Sequence, residues 1–271
     1  MMSAALGQVD KFVVSAILPL SAFGYYMLAH TIASVLNLFP APIGDAVFPR
    51  YTQLVAAGDN VSLHALFHKN CQLIAGLVFP AAAVLFFFSE KVIWLWTGNI
   101  EIAKLAHESA SLLVLGVALG TMMSTLDVVQ MAYGWLVPAF TARFVALVLL
   151  VPGMWFAVHS YGVIGAAAAW LLVYVSYLAF TPMFVFSRIM PGQQLRWYIQ
   201  DWILPLFLSF GIVGLGAWIV PTLETKTSAF LVILLVWVCA FFFAASALAS
   251  YREIVARVAQ MMTTTIFNRL K

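Results

Sequence analysis

The sequence predicts an all-α integral membrane protein with about eight transmembrane segments. Three observations carry that expectation. Hydrophobic residues make up 64% of the 271 and charged residues only 8%, against roughly 45–50% and 25% in soluble domains. A single aqueous core of this size cannot hide so much apolar surface. The apolar residues gather in runs close to the ~20 that a helix needs to cross a bilayer. Finally, 11 prolines and 16 glycines are spread among those runs, which a membrane bundle tolerates because neighbouring helices re-satisfy the freed backbone groups.

Taken in order, the first segment spans 2–18 and is interrupted by Asp10 and Lys11. It lacks the basic start and small-residue cleavage site of a signal peptide. Spans follow at 22–46, 71–88, 105–132, 138–158, 165–186, 202–220 and 229–250. Pro19, Pro80, Pro152, Pro182 and Pro205 fall within or beside these spans and predict kinks, while Pro40 and Pro42 bracket a turn. Asp59-Asn60 has the chemistry of a helix cap. Beyond it Leu63, Leu66 and Phe67 recur at helical spacing beside His64, His68 and Lys69. The tail repeats the pattern, with Ile254, Val258, Met261 and Met262 opposite Glu253, Arg257 and Gln260. Both stretches read as amphipathic helices lying flat on the membrane.

Sidedness follows from the basic residues. With the C-terminus in the cytoplasm, that side receives Arg50, Lys69, Arg143, Arg188, Arg196, Arg252, Arg257, Arg269 and Lys271; the other receives Lys91, Lys104 and Lys226. The excess obeys the positive-inside rule. Trp94 and Trp96 then fall at the outer headgroup level, Trp197 and Trp202 at the inner one.

Composition and motifs also exclude classes of function. No basic block carries interleaved aromatics, so nucleic acid is not an expected partner. Cys71 and Cys239 lie in apolar runs without metal spacing. There is no histidine cluster, carboxylate pair in a polar loop or glycine-rich phosphate loop. No catalytic residue, metal or cofactor is expected, and the protein is not expected to be an enzyme; a membrane-embedded enzyme or assembly scaffold is the alternative class.

The informative residues are the polar ones inside the spans. An ionisable group at mid-bilayer costs roughly 2.5–3.5 kcal/mol on insertion scales, so it turns toward the bundle interior or a wet cavity. Asp10, Lys11, Asp127, Gln130 and Arg143 qualify. Asp10 and Lys11 point about 100° apart on a helix, so they cannot neutralise each other. Asp127 and Gln130 share a face. Arg143, just past the Gly134–Pro138 turn, is within reach of Asp127, and a structural ion pair and a transport role are both open there. Asp45 and Arg50 sit near an interface and can snorkel to water. Asn37 and His30 are uncharged polar groups on the second span.

Several short phrases resemble a known family. Gln8-Val9-Asp10-Lys11 followed by Phe23-Gly24-Tyr25-Tyr26, then Phe48-Pro49-Arg50-Tyr51, Leu95-Trp96-Thr97-Gly98, Tyr161-Gly162-Val163-Ile164-Gly165-Ala166-Ala167, and Arg196-Trp197-Tyr198 with Asp201 and Pro205 occur in this order. The order is similar to that in Wzx-type oligosaccharide flippases of the multidrug/oligosaccharidyl-lipid/polysaccharide exporter superfamily. The resemblance implies two six-helix lobes around a cavity, plus two added helices. This chain would match the seventh to fourteenth helices: 1–190 the C-terminal lobe, 191–250 the two added helices, 251–271 a cytoplasmic tail. The N-terminal lobe would then come from a missing part of the gene or from a separate chain.

The implied activity is flipping an undecaprenyl-pyrophosphate-linked oligosaccharide across the bacterial inner membrane. A drug/cation antiporter or a lipid II flippase of the same superfamily is the alternative. On that reading Lys11 and Arg143, with Asn37 and Gln130, contact the pyrophosphate or sugar, and Asp10 and Asp127 couple an ion or proton.

Overall fold

The computed structural model describes residues 2–219, 225–248 and 251, apart from the side chains of 2–7, 138 and 247. It is 92% helical, and no strand occurs among the described residues. Among the described residues six helical stretches are long and apolar enough to cross a membrane: 20–57, 60–87, 100–132, 139–188, 194–219 and 226–246. The protein is an all-α, multi-pass membrane protein.

Local chemistry sets where each helix begins and ends. Helix α1 (Met2–Ile17) stops before Pro19, whose φ of −58° and ψ of 152° break the chain ahead of α2 (Leu20–Ser34). A 3₁₀ turn, Val35–Leu38, leads into α3 (Pro40–Ala57), which starts on proline, a residue suited to a position with no N–H to satisfy. Gly58 ends α3 at φ 68°, and Asp59 caps α4 (Asn60–Phe87) by accepting from the Ser62 N–H at 3.0 Å. Short α5 (Ser89–Thr97) ends at Gly98, and Asn99 caps α6 (Ile100–Ala132) through the Glu101 and Ile102 N–H groups.

Helix α7 (Val137–Arg188) is a hairpin. Its 52 residues would extend about 78 Å if straight, yet the Arg188 guanidinium lies 4.5 Å from the centroid of the Trp135 ring. The chain reverses at Gly162, with φ 59° and ψ −135°, a backbone region that side chains disfavour. Arms 137–161 and 163–188 meet beside the turn, where a Cβ on Gly165 would stand 2.0 Å from the Ala157 carbonyl oxygen. After α7 come α8 (Gln194–Arg196), a π-helical stretch Trp197–Ile203, α9 (Leu204–Ile219) and α10 (Lys226–Ala247). The eight expected segments differ from the six long stretches for two reasons. The 16 residues of α1 span only about 24 Å, and the hairpin is one continuous stretch.

Helix α6 is the hub, packed against α2, α3, α4, α5 and α7. Its Gly116 and Gly120 accept the Tyr174 ring of α7: a Cβ on Gly120 would lie 2.4 Å from Tyr174 Cε1. At one end of the bundle Trp94 has the ammonium groups of Lys91 and Lys226 each 5.8 Å from its ring centroid. Arg143 and Arg188, by contrast, lie beside Asp127 and Trp135 at the other end of α6.

Two sequence expectations are corrected. Residues 63–69 do not form a separate surface helix. They are the first turns of α4, with Leu63, Phe67 and His68 buried. His68 is held inside because Asp201 engages its Nδ1, Gln193 Oε1 lies 2.9 Å from its Nε2, and Gln72 donates to the other Asp201 oxygen at 2.9 Å. Trp197 and Trp202 are not headgroup anchors. Trp197 is wholly enclosed against Phe186 and Tyr198, and Trp202 packs on Phe79. The tail helix expected over 254–262 lies outside the described residues.

Candidate functional site

Asp10 sits within α1 and is 0% exposed. The Tyr26 hydroxyl of α2 donates to its Oδ2 at 2.6 Å, while Oδ1 is buried with no hydrogen-bond partner. A carboxylate offers about four acceptor sites, and leaving them empty in a low-dielectric interior is costly. The free oxygen is therefore the chemically pointed feature of this region.

Aromatic side chains enclose it. The Trp170 indole stands close to the Tyr26 hydroxyl without meeting hydrogen-bond geometry. Trp170 stacks on Tyr174 with ring centroids 5.6 Å apart, and Tyr174 meets Tyr177 edge-on at 6.4 Å. Spacings of four and three put these rings on one face of the second arm of α7. The sequence forms this face because glycines on α6 leave room for Tyr174. His30, one turn beyond Tyr26 with ring centroids 6.4 Å apart, lies in the field of both Asp10 and Lys11.

The same ring face reaches a second charged site. Arg143, on the first arm of α7, donates to the Asp127 carboxylate of α6, closing an ion pair whose side chains are 32% and 27% exposed. The buried Tyr177 hydroxyl, without a partner of its own, is in the electrostatic field of both. Two charged centres thus flank a Trp170–Tyr174–Tyr177 face.

The remaining expected site residues lie elsewhere or are closed. Lys11 is half-buried on α1. Asn37 is exposed on the 3₁₀ turn. Gln130 is fully buried, its amide nitrogen only 3.4 Å from the Leu126 carbonyl oxygen and its own oxygen unpaired. It has no surface to offer a ligand in this conformation. Asp45 and Arg50 are exposed, and Arg50 donates to Gln53 at 3.1 Å. Sequence reasoning did not single out Tyr26, Trp170 or Tyr174 for the site, although Tyr26 is the second tyrosine of the Gly24-Tyr25-Tyr26 phrase.

Chemically, a buried carboxylate with one free oxygen among aromatic faces is equipped to hold a proton or a small cation. Among the described residues no group of three or more histidine, cysteine or acidic side chains is arranged for a metal.

Comparison with known proteins bears on the first part of the chain. No curated protein and no solved structure matches it. Residues 1–100, from α1 through α5 and including Asp10 and Tyr26, are similar to a family described as polysaccharide biosynthesis protein.

Proposed function

We propose that the protein moves a polyprenyl-pyrophosphate-linked oligosaccharide from the cytoplasmic to the outer leaflet of a bacterial inner membrane, for polysaccharide biosynthesis. The observation that carries the reading is Asp10: a fully buried intramembrane carboxylate with one unpaired oxygen, inside the segment similar to polysaccharide biosynthesis proteins. A pyrophosphate-sugar head cannot cross hydrocarbon unaided, so a protein must replace its water while the lipid tail stays in the bilayer. Rocking of helices about a central site exposes that site to each side in turn.

In this mechanism Asp10 takes up a proton or cation, and Tyr26 holds the carboxylate in place. Arg143, released from Asp127 in another conformation, meets the pyrophosphate, with Lys11 as the second cationic contact. The protein forms and breaks no covalent bond. The C-terminus is cytoplasmic, as the distribution of basic residues favours.

The test is glycan export in cells carrying the natural gene. Asp10→Asn and Arg143→Ala should each reach normal membrane levels and lose most surface glycan. Undiminished export in both variants overturns the assignment.

A further inference from the structure

The α7 hairpin contains a long cleft. It has a volume of about 1120 Å³ and runs from Trp135 and Arg188 at one end to Tyr161 and Gly165 at the other. The arms touch near the turn, at Gly165 and Ala157, and Arg188 stacked on Trp135 closes the opposite end. Between these points small residues, Ala142, Ala146, Gly153 and Ala168, leave the space between the arms unfilled. Leu149 and Leu172 are well exposed at its edges, so the cleft opens sideways to lipid.

Its dimensions select the occupant. All the empty space between the arms, its open side included, is about 2300 Å³; over the roughly 36 Å from the mouth to the turn this makes a mean cross-section of about 60 Å². A helix with side chains is 10–12 Å across and fills about 80–110 Å², so a further helix does not fit between the arms, whereas an extended hydrocarbon chain does. Arms of about 36 Å are long enough to cross a ~30 Å hydrocarbon core, about twice the depth of one leaflet. The fitting chain is longer than a leaflet. At the mouth Arg188 is exposed, and among the described residues no carboxylate pairs with it, so its charge suits a phosphate.

We propose that this cleft holds the polyisoprenyl tail of a phosphate-headed lipid, with the head at Arg188. The inference rests on the flipping reading for its biological sense, since it identifies where the carrier is held before its sugar head crosses. It is separate from the Asp10 site and makes its own demand on binding.

The test measures retention of undecaprenyl phosphate by the purified full chain in detergent, read by native mass spectrometry. Gly153 lines the cleft and a Cβ there meets nothing within 4 Å, so Gly153→Trp adds bulk to the cleft with no clash at its Cβ. It should lower retention by at least about tenfold. Arg188→Gln, which removes a charged donor, should lower it by about tenfold. Phosphatidylglycerol at equal concentration should compete poorly. A photoreactive side chain placed at Leu149, which lines the cleft, should capture the probe; one at Phe156, exposed but outside it, should not. Should Gly153→Trp disturb folding, the capture comparison decides alone.

Unchanged retention in both variants, equal competition by phosphatidylglycerol, or equal capture at the two positions overturns the proposal. Retention without any glycan export would defeat the flipping reading and leave the cleft standing. Export that depends on Asp10 without retention in the cleft would do the reverse.

Discussion

Asp10 depends on a single hydrogen bond. Tyr26→Phe removes it and leaves a buried acceptor wholly unsatisfied, which costs about 1–3 kcal/mol. A lowered thermal midpoint in detergent is the expected outcome, and an unchanged one means that the carboxylate is otherwise solvated. A second residue-scale prediction concerns Asp59. The Ser62 side chain and N–H hold its carboxyl below the usual range. A depressed pKa means that the cap stabilises α4 above the ordinary carboxylate range and fades as pH falls through the lowered value. Protection of the first turn of α4, measured as exchange relative to the intrinsic rate at each pH, should therefore fall in acid, and Asp59→Asn should flatten that dependence.

At this scale the sequence was readable where charge stood out against hydrocarbon. Asp10, and the Arg143–Asp127 pairing as one of two open readings, are visible in one dimension because lipid makes any charge conspicuous. Tyr26, Trp170 and Tyr174 are not, because aromatic residues are ordinary in spans and their partnership exists only once α1, α2 and α7 meet. His68 misled for a related reason. Its helical neighbours look amphipathic, yet its partner Asp201 lies 133 residues away in sequence, beyond any local pattern.

Among the elements, the α7 hairpin concentrates the most consequence in the fewest residues. Gly162 supplies a reversal that side chains resist, and Gly165 lets the returning arm touch backbone. Gly165→Ala puts a methyl group against the Ala157 carbonyl, where relief requires the arms to separate. Overpacking of this kind costs about 1–3 kcal/mol, and Gly162→Ala adds comparable backbone strain. Both should lower the thermal midpoint, whereas Gly153→Ala, facing open space, should not. The small residues of Tyr161-Gly162-Val163-Ile164-Gly165-Ala166-Ala167 suit close helix packing, and Gly165 makes that contact. Nothing in the phrase alone marks Gly162 as the turn itself. Helix ends were legible where cap chemistry is strong, as at Asp59-Asn60. They were shifted where polar residues continue a helix past its apolar stretch, as over 60–70 of α4.

Across the whole molecule, the candidate site joins parts of different standing. Asp10 and Tyr26 lie in the segment similar to polysaccharide biosynthesis proteins, whereas Trp170 and Tyr174 arrive from beyond it on α7. Helix α6 makes the meeting possible by packing against both α2 and α7. Transport through this site requires the enclosed carboxylate to become wet during a cycle, although the present conformation shuts it away. Asp10→Cys tests it in a background in which both free cysteines, Cys71 and Cys239, are replaced by alanine. A charged, membrane-impermeant thiol reagent added to membrane vesicles should modify the new thiol slowly from the side to which the cavity opens, and a polyprenyl-pyrophosphate-linked glycan should protect it. A thiol that stays unmodified from both sides, yet reacts fully once the protein is denatured, would contradict the account.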